Sequence, residues 1–64
     1  MTRDLTDKQF KAAMIRNGFK PELFGYWRIL GTETSIFPRN GGPRKRDQLA
    51  WALEQKRKKV ENNT

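Results

Sequence analysis

The 64-residue sequence contains no cysteine and no histidine. The lack of cysteine excludes a disulfide framework, and the lack of both residue types excludes nearly every zinc site. The same absence removes the most common nucleophile and the most common general base of enzymes, and the seven carboxylates are scattered along the chain. We therefore expect a protein that is not an enzyme and that uses no metal and no cofactor.

Long apolar runs are also absent. No stretch approaches the ~20 apolar residues that a membrane span needs, and the first ten residues lack the basic-then-apolar order of a signal peptide. Attachment of the basic C-terminal helix to a membrane surface is disfavoured too, because the apolar stripe of this helix is narrow. Since the absence of cysteine fits a reducing compartment, we expect a cytoplasmic protein that makes no use of a membrane.

Positive charge, in contrast, is abundant. Fourteen Lys and Arg stand against seven Asp and Glu, which gives a net charge of +7 and an isoelectric point near 10.4. Residues 1–20 carry five cations and two anions, and residues 43–64 carry seven cations and three anions, whereas residues 21–42 are neutral overall. This one-sided balance points to an anionic partner, either a nucleic acid or an acidic protein.

A chain this short forms one domain, residues 1–64, which buries only about 60% of its unfolded surface. Its two Trp, four Phe and one Tyr are bulky enough to favour a compact fold over disorder. A homodimer would supply additional buried area. We expect the ends, residues 1–5 and 61–64, to be frayed.

Residues 7–17 are predicted to form a helix. Thr6 and Gln9 have the spacing of a capping box before it, and Gly18 is placed to end it in a left-handed conformation. One stripe at helical spacing then faces the core: Phe10, Ala13, Met14 and Asn17.

Residues 23–30 and 35–37 are predicted to form a β-hairpin around the turn-like residues 31–34. Pro38 cannot donate a ladder hydrogen bond, so the second strand should be short or at an edge. Trp27 and Ile29 share one face, and Tyr26 and Arg28 share the other. We expect the core to contain Trp27, Phe24 and Phe37.

Residues 44–60 are predicted to form a second helix behind Pro43. Its expected buried stripe is Leu49, Leu53 and Val60, with Ala50 beside them. Trp51 lies about 150° from the centre of that stripe, so it should face away from the core or reach round to the hairpin. The predicted fold is α+β, a helix–β-hairpin–helix (αββα) domain with both helices packed on one face of the hairpin.

The segment before the second helix is the leading candidate site. A helix start carries partial positive charge and unpaired N–H groups, which three cations there would oppose unless an anion binds. Two glycines would allow close approach of a phosphate. The residues of this site are Gly41, Gly42, Arg44, Lys45 and Arg46. The alternative is a solvated set of cations with the helix starting near Asp47.

Further basic and aromatic residues could support this site. Lys56, Lys58 and Lys59 would add charge, although a solvated helix end, whose cations suit the C-terminal dipole, is the simpler explanation of this run. Tyr26 and Arg28 could stack an unpaired base on the open face of the hairpin. Trp51, if exposed, would anchor a partner.

The residues Leu5–Phe10 and Asn17–Phe19 resemble the first helix of phage-repressor-type helix-turn-helix domains. The resemblance spans only residues 5–19, and the strand-like residues 24–30 depart from that pattern, so no family follows from it. A short basic chain without cysteine is also similar in general character to small accessory proteins of phages and plasmids.

The sequence thus predicts a small non-catalytic nucleic-acid-binding protein, with DNA favoured over RNA, that binds phosphates through a basic loop and a helix N-terminus. The alternative is a phage- or plasmid-type interaction module that binds an acidic protein through the same cations and an aromatic anchor.

Overall fold

The computed structural model describes residues 3–62, with side chains through residue 59, and confirms an α+β domain of two helices and an antiparallel sheet. Residues 1–2 and 63–64 of the expected frayed ends lie outside the described part. The elements are, in order, α1 (Asp7–Arg16), β1 (Phe19–Pro21), a first 3₁₀ turn (Leu23–Gly25), β2 (Trp27–Ile29), β3 (Ser35–Ile36), a second 3₁₀ turn (Pro38–Gly41) and α2 (Lys45–Asn62).

Local signals account for α1. The Thr6 hydroxyl accepts from the Gln9 N–H at 3.1 Å and the Gln9 side chain accepts from the Thr6 N–H at 3.0 Å, which completes the predicted capping box. Gly18 follows the helix with φ 89°, the left-handed conformation that glycine adopts without strain. Phe10 and Met14 are the buried residues of the helix, so the predicted stripe is confirmed at its centre.

The sheet has one more strand than predicted. The hairpin of β2 and β3 is present, with Trp27 opposite Ile36, and β3 is a two-residue edge strand next to Pro38. The extra strand β1 pairs antiparallel with β2 and places Phe19 opposite Ile29. Three residues are too few to show the alternation that identifies a strand from sequence.

Both helices cover the same face of this sheet. Four sheet residues are buried on that face, and the helices cover them with Phe10, Met14 and Ala52. The Phe10 and Trp27 rings meet edge to face, with centroids 6.1 Å apart. The four sheet residues are Phe19, Trp27, Ile29 and Ile36.

The buried stripe of α2 differs from the prediction. Ala52 is its fully buried residue and Leu49 is half-buried, whereas Ala50 and Leu53 are exposed; the Val60 side chain lies outside the described part. The small side chain of Ala52 lets the helix backbone approach the core closely, so the stripe is centred on a residue of low hydrophobicity rather than on the leucines.

Residue contacts at both ends of α1 show that the two helices run in the same direction. The start of α2 is held by Asp4, which precedes α1, and Lys56 further along α2 reaches Asn17 at the end of α1. Asp4 and Leu5 belong to the end that is expected to be frayed; Asp4 makes this contact with α2, and Leu5 packs against the core.

Two aromatic residues behave differently from their prediction. Trp27 is buried as expected, but Phe24 is 89% exposed and Phe37 is half-buried. Phe24 leaves the core because the chain forms the first 3₁₀ turn where a strand was predicted, and Phe24 has φ 60° within it.

Candidate functional site

The start of α2 is already occupied by a carboxylate of the same chain. The Lys45 N–H donates to Asp4 Oδ2 at 2.9 Å and the Arg46 N–H donates to Asp4 Oδ1 at 3.0 Å. These are the helix-start donors that a phosphate was expected to use. The predicted anion site is therefore filled internally, and α2 begins at Lys45 rather than at Asp47.

Charges around this cap are also paired. The two N–H donors, that of Lys45 first and that of Arg46 second, lower the pKa of Asp4 below its ordinary value of 3.8. Lys45 Nζ lies 2.8 Å from Asp7 Oδ1, and this hydrogen bond and charge lower the pKa of Asp7. Within residues 3–59, the Arg44 side chain makes no ion pair or hydrogen bond, and it is exposed. In the same range the Arg46 side chain likewise makes no ion pair or hydrogen bond but is half-buried, so Arg44 is the more accessible of these two cations.

The two glycines of the loop have structural explanations. A Cβ at Gly41 would lie 2.5 Å from Trp51 Cβ, so the close approach that glycine permits here is to α2. Gly42 has φ 133°, and its carbonyl accepts from Gln48 Nε2 at 2.9 Å. Trp51 is half-buried and packs against the core, which makes it a packing residue rather than an outward anchor.

The second basic run, which consists of Lys56, Lys58 and Lys59 near the end of α2, contains one residue that holds the fold together and others that face solvent. Lys56 Nζ donates to the Asn17 carbonyl at 2.5 Å and lies 5.9 Å from the centroid of the Phe19 ring, so Lys56 closes the end of α1. Lys58 pairs with Glu54 at 3.8 Å, and Lys59 is exposed. Lys45 and Lys56 are eleven residues apart on one helix, about 16 Å, so the two basic runs do not form one site.

Tyr26 and Arg28 lie on the outside, as predicted. Arg28 is exposed and forms an ion pair with Glu22 at 2.9 Å. This pair lowers the net positive charge that Arg28 offers to a ligand. Tyr26 is 46% exposed, and its ring packs on that of Phe37 with centroids 5.2 Å apart.

A cleft of about 430 Å³ lies between the first 3₁₀ turn, the second 3₁₀ turn and the start of α2. We call it the aromatic–basic cleft. It contains four aromatic side chains, two cations and, among the described residues, no carboxylate. Its lining residues are Phe10, Phe24, Gly25, Trp27, Phe37, Pro38, Arg39, Pro43, Lys45 and Gln48.

Phe24 is the unusual member of this cleft. It is 89% exposed and has φ 60° and ψ 30°, a left-handed conformation that costs a non-glycine residue about 1–2 kcal/mol. Exposed and strained, Phe24 does not stabilise the core. Sequence reasoning placed Phe24 in the core and so missed it as a site residue; Arg39 belongs to the interleaved aromatic and basic residues 26–39 but was not among the predicted site residues. The signal that could have found Phe24 is the flanking of residues 22–24 by Pro21 and Gly25, which is typical of a turn rather than a strand.

Within the described residues, neither helix is both long enough and apolar enough to span a membrane. No protein-family model matches the chain, and neither the curated proteins nor the solved structures contain a match to it.

Proposed function

We propose that the protein is a small, non-catalytic, cytoplasmic nucleic-acid-binding protein, with DNA favoured over RNA. The observation that carries this proposal is the aromatic–basic cleft, in which Arg39 and Lys45 accompany four aromatic side chains and no described residue of the lining is a carboxylate. A net charge of +7 adds a general attraction for a polyanion.

In this proposal two exposed arginines make the phosphate contacts, in place of the N–H groups at the start of α2. Arg39 lines the cleft, and Arg44, which is not itself a lining residue, stands in the chain between the lining residues Pro43 and Lys45. Lys45 is held by Asp7, so it contributes less charge than the arginines. Exposed cations elsewhere, such as Lys59, add a weaker non-specific attraction.

Salt-dependent binding tests this proposal. Labelled duplex and single-stranded oligonucleotides are titrated at several salt concentrations with the native protein and with the double variant Arg39→Ala/Arg44→Ala. Each phosphate contact contributes about one unit to the slope of log affinity against log salt, so the double variant should lower affinity and flatten the slope by up to about two units. The control Lys20→Ala/Lys59→Ala removes the same charge from exposed positions outside the cleft lining.

An equal slope change in both double variants would contradict the assignment of phosphate contacts to Arg39 and Arg44. If neither oligonucleotide binds more tightly than ~0.1 mM at physiological salt, the weak end of non-specific DNA binding, the proposed function fails.

The second candidate function is binding of an acidic protein. It is favoured by one observation, the adjacent exposure of Leu23 at 77% and Phe24 at 89% beside the cations of the cleft. These two residues replace Trp51 as the expected anchor, because Trp51 is half-buried. Failure of both oligonucleotides in the titration would make this the leading function.

A further inference from the structure

Phe24 is held at the edge of the aromatic–basic cleft by its neighbours. A Cβ at Gly25, which has φ 80°, would lie 3.1 Å from Phe37 Cε1, so the first 3₁₀ turn rests closely on the Phe37 ring. The Tyr26 ring also packs on the Phe37 ring, with centroids 5.2 Å apart. The turn therefore has a packed support, while its Phe24 side chain is left in solvent.

A strained and exposed aromatic residue is best explained by a ligand. Positive φ at a bulky residue persists only where the surrounding structure enforces it, and such residues cluster at binding sites. The volume of about 430 Å³ falls within the range of roughly 300–1,000 Å³ usual for ligand pockets. The cleft can hold one flat group against Phe24.

The charge of the cleft lining indicates the chemical nature of the flat group that it can hold. Arg39 and Lys45 line the cleft without a lining carboxylate, so a second copy of this chain, itself at +7, is electrostatically disfavoured. A group that joins a flat aromatic system to negative charge satisfies both parts of the lining. A nucleotide has this chemistry, and the planar guanidinium of Arg39 suits its phosphate.

We propose that the aromatic–basic cleft binds one unpaired base of a single-stranded nucleic acid, with Phe24 stacking on the base and Arg39 contacting the adjoining phosphate. This inference rests on the proposed function and names its substrate class. Bases inside a duplex are stacked on one another and cannot enter such a cleft. Single strands should therefore bind more tightly than duplexes of the same length.

The test compares two neighbouring substitutions. Phe24→Asn removes the ring and places a residue that tolerates positive φ, so it should not unfold the protein. Leu23→Asn is the matched control, because Leu23 is 77% exposed but does not line the cleft. Binding of a labelled twelve-residue oligothymidylate, and of a duplex of equal length, is followed by fluorescence anisotropy, and folding is checked by thermal melting.

Loss of one stacked base corresponds to about a 5- to 150-fold weaker affinity. We expect Phe24→Asn to weaken single-strand binding by this factor with its salt slope unchanged, to leave duplex binding intact, and to leave the melting temperature unchanged or raised, since Asn tolerates positive φ. Phe24→Trp should retain binding, and Leu23→Asn should match the native protein.

Three results would overturn the inference while leaving the proposed function in place: unchanged single-strand affinity in Phe24→Asn, an equal loss in Leu23→Asn, or equal losses for duplex and single strand. Failure of the native protein to bind either oligonucleotide is a different result, and it would reject the proposed function itself.

Discussion

Substituting Gly41 by alanine should strongly destabilise the domain. The added Cβ would lie 2.5 Å from Trp51 Cβ, 2.9 Å from Trp51 Cγ and 3.1 Å from Gln48 Cα, whereas non-bonded carbons rest at about 3.5–4.0 Å. These atoms belong to the α2 backbone or are fixed to it. The second 3₁₀ turn and α2 must therefore separate by about 1 Å.

Overpacking of this kind costs about 1–3 kcal/mol, and we expect about 2–3 kcal/mol because backbone atoms must move. A 64-residue domain has a total stability of about 3–10 kcal/mol. A loss of 2 kcal/mol lowers the melting temperature by about 8–16 °C. Thermal and urea unfolding followed by circular dichroism measure this change.

Asn40→Ala is the control, since Asn40 is an exposed residue of the same turn and surface substitutions usually stay within about 0.5 kcal/mol. If Gly41→Ala proved as stable as Asn40→Ala, the close packing of the turn on α2 would be refuted. Gly41 would then again be a candidate for the phosphate contact predicted from sequence.

Two further predictions concern stability. The N–H groups of Lys45 and Arg46 lower the pKa of Asp4 in the folded state. The stabilisation that Asp4 gives the fold is therefore present above pH 3.8 and is lost as the pH falls through the lower folded value. Urea unfolding against pH should show this loss of stability, and the loss should be smaller in the Asp4→Asn variant. Lys56→Met should lower the stability by about 0.5–1.5 kcal/mol, because the Asn17 carbonyl loses its donor. In the control Lys59→Met, thermal melts should show a change within about 0.5 kcal/mol. Equal losses of stability in both variants would contradict the role of Lys56.

The parts of the fold that were predictable are those specified by neighbouring residues. The capping box of Thr6 and Gln9 and the stop at Gly18 involve residues close in sequence, and both were correct. The β2–β3 hairpin likewise depends on a local turn. Strand β1 was missed because its three residues become a strand only through pairing with β2.

The position of α2 and the place of Phe24 depend on tertiary packing. The helix is centred on Ala52 because the space available, rather than hydrophobicity, decides which side chain fits against the core. Phe24 counted as a core residue by composition, and its positive φ follows from a turn that packs on Phe37.

The candidate site was only partly predictable for the same reason. Lys45 was correctly placed near a helix start, but its backbone partner Asp4 is 41 residues away in sequence, and no local pattern indicates such a contact. Arg39 enters the site because the second 3₁₀ turn brings it to the cleft.

The shared direction of α1 and α2 gives the molecule an electrical polarity. In an antiparallel pair the dipoles of two helices cancel, whereas here they add, with both positive ends on the side of Asp4 and Asp7. Acidic groups near the two helix starts, and Lys56 at the other end of α1, offset the combined helix dipole. In a protein with so few carboxylates, these two aspartates therefore neutralise the aligned helix starts in addition to forming their individual bonds.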